Sequence, residues 1–161
     1  ADEIKERIEN GLLDMGLVTE PVDISKYNFF RLPQKEQWGI LVHEKHRLAQ
    51  KTFITPDDLI NEPLIIAKRI AVQNELINWF NNSSEKLNIV ATYNLILNAA
   101  NMVKHQIGVA LCFNLNFDNL YQDLRFIPLF PEIKTGAVLI WKKNHIYSQT
   151  MSHFIKSIKN A

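Results

Sequence analysis

The sequence predicts an α/β fold in which apolar strands alternate with short helices. Several runs of strand length are apolar at almost every position, which is typical of parallel strands covered on both faces. Among these are residues 63–66 and 109–113. Between them lie segments with apolar residues three or four positions apart, of which 94–105 is the most amphipathic.

The composition indicates a soluble globular chain with no strong charge bias. Its 161 residues suit one domain or two small lobes, and 47% hydrophobic with 22% charged residues excludes a disordered chain. The formal net charge is +1, with Lys and Arg scattered along the chain. This pattern argues against a segment that grips a phosphate backbone by itself.

The single cysteine, Cys112, has no partner for an internal disulfide. It lies inside the apolar run 109–113, so we predict a small buried hydrophobe rather than a reactive thiol. No apolar run is long enough to span a bilayer, and the N-terminus does not resemble a signal peptide. We therefore expect a cytoplasmic protein with no membrane partner.

The first predicted element is a helix over 2–10, which Gly11 ends as a C-terminal cap. A mostly apolar strand follows over 12–18, and Pro21 comes after it because proline cannot donate to a central ladder.

Two further strands are expected over 27–32 and 36–43, separated by the segment that begins at Pro33. A short helix over 55–60 then has a clear start signal. Thr55 can cap free amides, a proline occupies the first helical position, and Asp57 and Asp58 meet the positive end of the helix dipole. The remaining predicted elements are a strand over 63–66, a helix over 72–80, a loop at 81–84, a strand over 87–91, a helix over 94–105, strands over 109–113 and 137–141, and a C-terminal helix carrying Met151, Phe154, Ile155 and Ile158.

The order of motifs over nearly the whole chain resembles the effector-binding domain of LysR-type transcriptional regulators. The stretch 38–66 is similar to the family in its "H-x-L-A", "I-x-x-x-D-L" and "P-L-I" motifs, in that order. Similar segments occur at 9–17, 102–111, 126–129 and 141–155. The chain departs from the family at turns, with Arg47 in place of a common proline, Gln106 in place of a frequent glycine, and Phe113-Asn114 in place of a common Leu-Pro pair.

The resemblance implies a fold like that of type II periplasmic binding proteins. Two α/β lobes with mainly parallel sheets would be joined by two crossover strands, with the ligand in the cleft between the lobes. It places 1–42 and 128–161 in a first lobe and 43–127 in a complete second lobe. By the same resemblance the first lobe is incomplete. Its opening strands and first helix, a winged helix-turn-helix and a linker helix are expected to lie outside an N-terminally truncated chain.

The candidate ligand-binding residues follow from a general rule for open α/β sheets, in which ligands bind beyond the carboxyl ends of strands. The polar residues at those positions are Thr19, Glu20, Lys68, Arg69, Thr92, Asn94 and Asn114. All of these except Asn114 have an ordinary structural alternative. Lys68 and Arg69 can be simply solvated beside a water-capped helix, Thr92 and Asn94 can be N-caps of the helix at 94–105, and Thr19 and Glu20 can form a strand-ending turn.

The sequence contains no recognisable catalytic motif. His43-Glu44-Lys45-His46 superficially suggests a metal pair, but none of the five histidines has a metal-binding spacing. There is no glycine-rich phosphate loop and no nucleophile elbow. We therefore predict no catalytic residues, no metal and no cofactor.

The resemblance thus implies an effector-sensing domain of a DNA-binding transcriptional regulator. A small, possibly anionic molecule would bind in the cleft between the lobes and modulate transcription. The expected partners are that effector, further copies of the chain in a homodimer or tetramer, and operator DNA contacted only through the absent N-terminal domain. The alternative is a solute-binding protein of a transport system, which shares the lobe architecture.

Overall fold

The computed structural model describes residues 1–80, 87–116 and 121–159. The chain divides into two compact units. Unit 1 contains Ala1–Lys35 and the chain from Thr135 onward, and unit 2 is Glu36–Lys134. The lobe boundaries predicted after residues 42 and 127 remain a prediction of where the family's two lobes are joined.

Strands and helices alternate along most of the chain. Unit 1 contains α1 (Asp2–Glu9), β1 (Met15–Thr19), the first part of β2 (Tyr27–His43), nearly all of β7 (Lys134–Lys142) and α5 (Gln149–Lys159). Unit 2 contains the rest of β2, a 3₁₀ turn (Arg47–Gln50), α2 (Pro56–Leu59), β3 (Pro63–Ala67), α3 (Ile70–Trp79), β4 (Asn88–Tyr93), α4 (Ile96–Lys104), β5 (Val109–Phe113) and β6 (Leu124–Pro128).

Unit 1 is built on an antiparallel pair, β1 and β7, in register from Met15 opposite Trp141 to Thr19 opposite Ala137. Its core is formed by Ile8, Val18, Tyr27, Val138 and Ile140. Helix α1 ends as predicted, because Gly11 adopts φ of 69° and the Leu12 amide turns back to the Arg7 carbonyl.

Unit 2 is built on a mixed sheet in the order β2-β5-β3-β4, with β6 also paired to β2. Strand β3 is parallel to both of its neighbours, β4 and β5, whereas β2 is antiparallel to β5 and β6. The α/β fold class is confirmed, with parallel pairing in the β5-β3-β4 part of the sheet.

Successive residues along the central strands of unit 2 enter opposite cores, as strand geometry requires. Leu64 packs on one face of the sheet with residues of α3, and Ile65 packs on the other with residues of α4. Val109 and Ala110 divide in the same way. This two-sided burial explains why β3 and β5 are apolar at every position.

Three sequence predictions of element boundaries were wrong. The runs at 27–32 and 36–43 form the single strand β2, since Pro33 removes one backbone donor but its φ is compatible with an extended chain. Helix α4 begins at Ile96 rather than at 94, and Leu95, expected on its buried face, is 63% exposed. The predicted strand at 12–18 begins only at Met15. The predicted loop at 81–84 lies outside the described residues.

The predicted helix start at Thr55 is confirmed, with Pro56 at the first helical position. The Asp58 carboxylate accepts hydrogen bonds from both the backbone amide and the hydroxyl of Thr55, each at 3.0 Å, and pairs with the Lys51 ammonium. Burial opposes ionisation of Asp58, but the Lys51 and Thr55 donors outweigh it and lower the pKa of this carboxyl.

Candidate functional site

The carboxyl ends of β5, β3 and β4 meet at one edge of unit 2, because these neighbouring strands run parallel. We call this the carboxyl edge and define it by Lys68, Arg69, Thr92, Asn94 and Asn114. The structure thus brings five of the seven predicted site residues to one edge of a single sheet.

The segment after β3 presents a cation and a helix start together. The backbone amide of Lys68 donates to the Tyr93 carbonyl at 2.7 Å, which fixes the backbone at this position. The preceding residue is also held, because Gln73 Nε2 donates to the Ala67 carbonyl at 2.8 Å. Within the described residues, the exposed Lys68 ammonium has no ion-pair partner. Arg69 is the N-cap residue of α3 and makes no side-chain cap.

The first turn of α3 has donors available for a ligand. The Arg69 carbonyl accepts from the amides of Val72 and Gln73. The two preceding amides, of Ile70 and Ala71, have no acceptor among the residues that the structure describes. The helix dipole and the Lys68 charge both favour a negative group at this point.

Thr92 and Asn94 do not cap α4, so this structural alternative was wrong. The N-cap residue is Leu95, which makes no side-chain cap. The cause is the length of β4, which continues to Tyr93 opposite Ala67 and so keeps Thr92 within the strand. Both Thr92 and Asn94 have exposed side chains.

Asn114 follows β5 and is held at the same edge by backbone and side-chain contacts. Its amide donates to the Gln37 carbonyl at 3.1 Å, and its Oδ1 accepts from the Asn116 amide at 3.0 Å. The side-chain oxygen therefore shapes the turn, and the side-chain amide group remains as a donor for a ligand.

Sequence analysis missed the apolar side chains of the carboxyl edge. Ile70 is 72% exposed, Leu95 is 63% exposed and Leu115 is 40% exposed. Each lies one or two residues from a predicted polar site residue. The signal that could have identified these residues is an apolar side chain at a helix start or in a turn, where a polar side chain is usual. The edge combines a positive charge and polar donors with apolar surface.

The other two predicted residues belong to unit 1. Thr19 is the last residue of β1, opposite Ala137. Glu20 has local structural partners, since its Oε1 accepts from Arg31 Nε at 3.1 Å and its amide donates to the Gly136 carbonyl. The side chain of Glu20 also lies over Gly136, where an added Cβ would be 2.6 Å from Oε2. These contacts support the turn alternative for Glu20.

The described residues contain no cluster of His, Cys, Asp and Glu that could hold a metal ion. Cys112 is fully buried as predicted, and burial raises the pKa of its thiol. The Tyr93 hydroxyl donates to the Leu111 carbonyl at 2.8 Å, and burial followed by the nearby Cys112 raises the pKa of this phenol. Both groups stay neutral and serve the packing of the sheet.

The LysR substrate binding domain family matches residues 1–161. The chain belongs to this family. A curated relative, the uncharacterized HTH-type transcriptional regulator YvbU of Bacillus subtilis, is 22% identical over 119 residues, which are 74% of this chain and 39% of the relative. The chain thus spans about two-fifths of the length of that regulator.

Solved structures of LysR-family proteins show the same fold. The effector-binding domain of QuiR in complex with shikimate has a TM-score of 0.84 at 17% identity, covering 98% of this chain and 76% of the other. A LysR-family regulator from Pseudomonas aeruginosa, PA01, gives 0.76 at 18% identity and covers 99% and 57%. The effector-binding domain of BenM with benzoate gives 0.74 at 19% identity and covers 99% and 74%.

Membership of the LysR substrate binding domain family favours the regulator over the transport alternative. Within the described ranges, the helices are all too short or too polar to cross a membrane.

Proposed function

We propose that this chain is the effector-sensing part of a LysR-type transcriptional regulator, and that its carboxyl edge binds a small organic anion with an apolar body. The observation that carries the proposal is the convergence of Lys68, Thr92, Asn94 and Asn114 at the carboxyl ends of the parallel strands β5, β3 and β4. This is where ligands bind in open α/β sheets.

The charge and the exposed apolar residues together define the ligand class. Lys68 and the amides at the start of α3 favour a carboxylate, and the exposed Ile70, Leu95 and Leu115 favour a hydrocarbon ring or chain beside it. Shikimate and benzoate, which the similar QuiR and BenM domains bind, are both carboxylates on a six-membered carbon ring, and the ring of benzoate is apolar. The participation of Thr19 and Glu20 in the same site stays a prediction.

Effector binding would act on transcription by changing the relative populations of two arrangements of the regulator. A ligand that has different affinities for two arrangements of a protein shifts the balance between them by that difference. We propose that the full regulator forms a homodimer or tetramer in the cytoplasm and contacts operator DNA through an N-terminal winged helix-turn-helix. No catalysis is proposed, since the carboxyl edge offers donors but no positioned acid, base or nucleophile.

The test compares carboxylates with neutral analogues on the full-length protein. Isothermal titration calorimetry with benzoate and shikimate, each matched by its carboxamide, measures whether the negative charge is recognised. Lys68→Gln and Arg69→Gln should each weaken carboxylate binding by about tenfold, as expected for a hydrogen bond to a charged group. Lys26→Gln, an exposed lysine of unit 1, is the matched control and should leave affinity unchanged.

Equal affinity for a carboxylate and its carboxamide would contradict the anionic ligand class. Unchanged carboxylate affinity in both variants would remove the segment after β3 from the site. Native mass spectrometry of the full-length protein would reveal a retained ligand and the assembly state. Chemical turnover of that ligand by the protein would contradict the proposed sensor function and indicate an enzyme.

A further inference from the structure

Unit 2 has a cavity of about 240 Å³ at the opposite edge of its sheet from Lys68. We call it the β2–α4 pocket, and its walls include His43, Lys45, His46, Arg47, Val103 and Gly108. Pro63, which begins β3, also lines it. The five residues of β3 separate this amino edge from the carboxyl edge by roughly 16 Å, given the rise per residue of a strand.

The pocket wall is basic. Two histidines, a lysine and an arginine line it, and none of the lining residues is acidic. Two lining residues contact the carboxylate of Glu62, which is 7% exposed, lies 3.2 Å from His46 Nε2 and pairs with Arg47. Glu62 therefore neutralises Arg47. Among the described residues, Lys45 has no ion-pair partner.

The hydrogen bonds of the two imidazoles determine which nitrogen faces outward as a donor. His46 is occupied at both nitrogens, because Nδ1 accepts from the Leu48 amide at 3.2 Å and Nε2 contacts Glu62. His43 Nδ1 accepts from the Lys45 amide at 3.1 Å, so a neutral His43 carries its proton on Nε2. This N–H has no acceptor within the part of the chain that the structure describes.

The end of α4 opposes an anion only weakly. Helix C-terminal carbonyls carry a partial negative charge, roughly half an elementary charge in total. Here the carbonyls of Asn101, Met102 and Val103 accept from the amides of His105, Ile107 and Gln106 respectively. The full positive charge of Lys45 outweighs this residual dipole.

From this arrangement we propose that the β2–α4 pocket binds a small organic carboxylate with a short aliphatic chain. The carboxylate would accept from Lys45 Nζ and His43 Nε2, and the chain would lie against the partly exposed Pro63 and Gly108. A cavity of about 240 Å³ is smaller than the sites that hold drug-sized ligands, so the ligand is small. The apolar wall favours a carboxylate with an alkyl group over inorganic phosphate.

Calorimetry of butyrate binding to the full-length protein at low salt tests the proposal. We expect saturable binding that strengthens from acetate to butyrate, because the longer chain buries more apolar surface against the partly exposed Pro63. Butyramide, the neutral analogue, should not bind. Lys45→Gln should weaken butyrate binding by about tenfold, and His43→Phe should weaken it several-fold by removing one donor.

Lys26→Gln, at an exposed lysine of unit 1, is the control and should leave butyrate affinity unchanged. Because the carboxyl edge is also proposed to bind carboxylates, Lys45→Gln is compared again in a Lys68→Gln background, where its loss of butyrate affinity should persist if the two edges are independent sites. Unsaturable binding, or equal binding of inorganic phosphate, would overturn the proposal. So would a loss of butyrate affinity in Lys68→Gln with none in Lys45→Gln, which would assign the binding to the carboxyl edge.

Discussion

Replacing Asp58 with alanine should destabilise the protein far more than the same change at the adjacent Asp57. Both residues lie in the first turn of α2, so each substitution removes one negative charge from the same end of the same helix. Of the two, Asp58 is the one whose carboxylate makes specific contacts: it accepts two hydrogen bonds from Thr55 and forms an ion pair with Lys51. The comparison therefore separates specific contacts from the general effect of charge near a helix start.

The magnitude follows from these contacts. Loss of an N-terminal cap costs about 1 kcal/mol of stability, and an ion pair whose lysine is partly exposed, as Lys51 is, contributes up to about 1 kcal/mol. Asp58→Ala should thus lower the free energy of unfolding by about 1.5–2 kcal/mol. Asp57→Ala should lower it by about 0.5 kcal/mol, the size of a helix-dipole effect. Urea denaturation followed by tryptophan fluorescence measures both.

The pH dependence gives a second, independent check. The pKa of Asp58 is lowered from its ordinary value of 3.8, so its ionised form stabilises the folded state fully above that value. The contribution is lost as the pH falls through the folded pKa. The difference in stability between wild type and Asp58→Ala should stay constant from neutral pH to about pH 5 and then narrow. Equal effects of the two substitutions, or a difference that widens in acid, would refute this account of the helix start.

Two further predictions concern α4 and the core. Gln106 adopts φ of 55°, a left-handed conformation that favours glycine, so Gln106→Gly should raise the free energy of unfolding by about 1 kcal/mol in urea denaturation. His105→Gly, at an ordinary φ of −85°, is the control and should lower it. The Cys112 thiol, fully buried with a raised pKa, should react with Ellman's reagent only in denaturant; rapid labelling of the native protein at pH 8 would contradict its burial.

Local signals predicted the parts of the fold that depend on local chemistry. The start of α2 at Thr55-Pro56 is determined within four residues, and the structure agrees with the prediction there. The start of α4 depends on β4, whose pairing with β3 holds Thr92 and Tyr93 in extended conformation. Side chains that favour caps were therefore overridden by a strand register that no local signal specifies.

The candidate site was predictable to a similar extent. The rule that ligands bind at the carboxyl ends of strands brought Lys68, Thr92, Asn94 and Asn114 together because β5, β3 and β4 are parallel neighbours. The β2–α4 pocket could not be found in this way, since its walls come from three separate segments of the chain, at 43–47, 63 and 103–108. In the sequence, the segment His43-Glu44-Lys45-His46 suggested at most a pair of metal ligands.

The electrostatics of unit 2 show why composition alone could not identify an anion-binding protein. A net charge of +1 indicates no preference for negative partners. The fold then pairs most of the charges, as with the described lysines Lys51, Lys104 and Lys134, which contact carboxylates. Lys45 and Lys68 are the described lysines of this unit that remain unpaired, one at each edge of the same sheet. The ligand charge that a site accepts depends on these residual groups, so tests at Lys45 and Lys68 address the two sites separately.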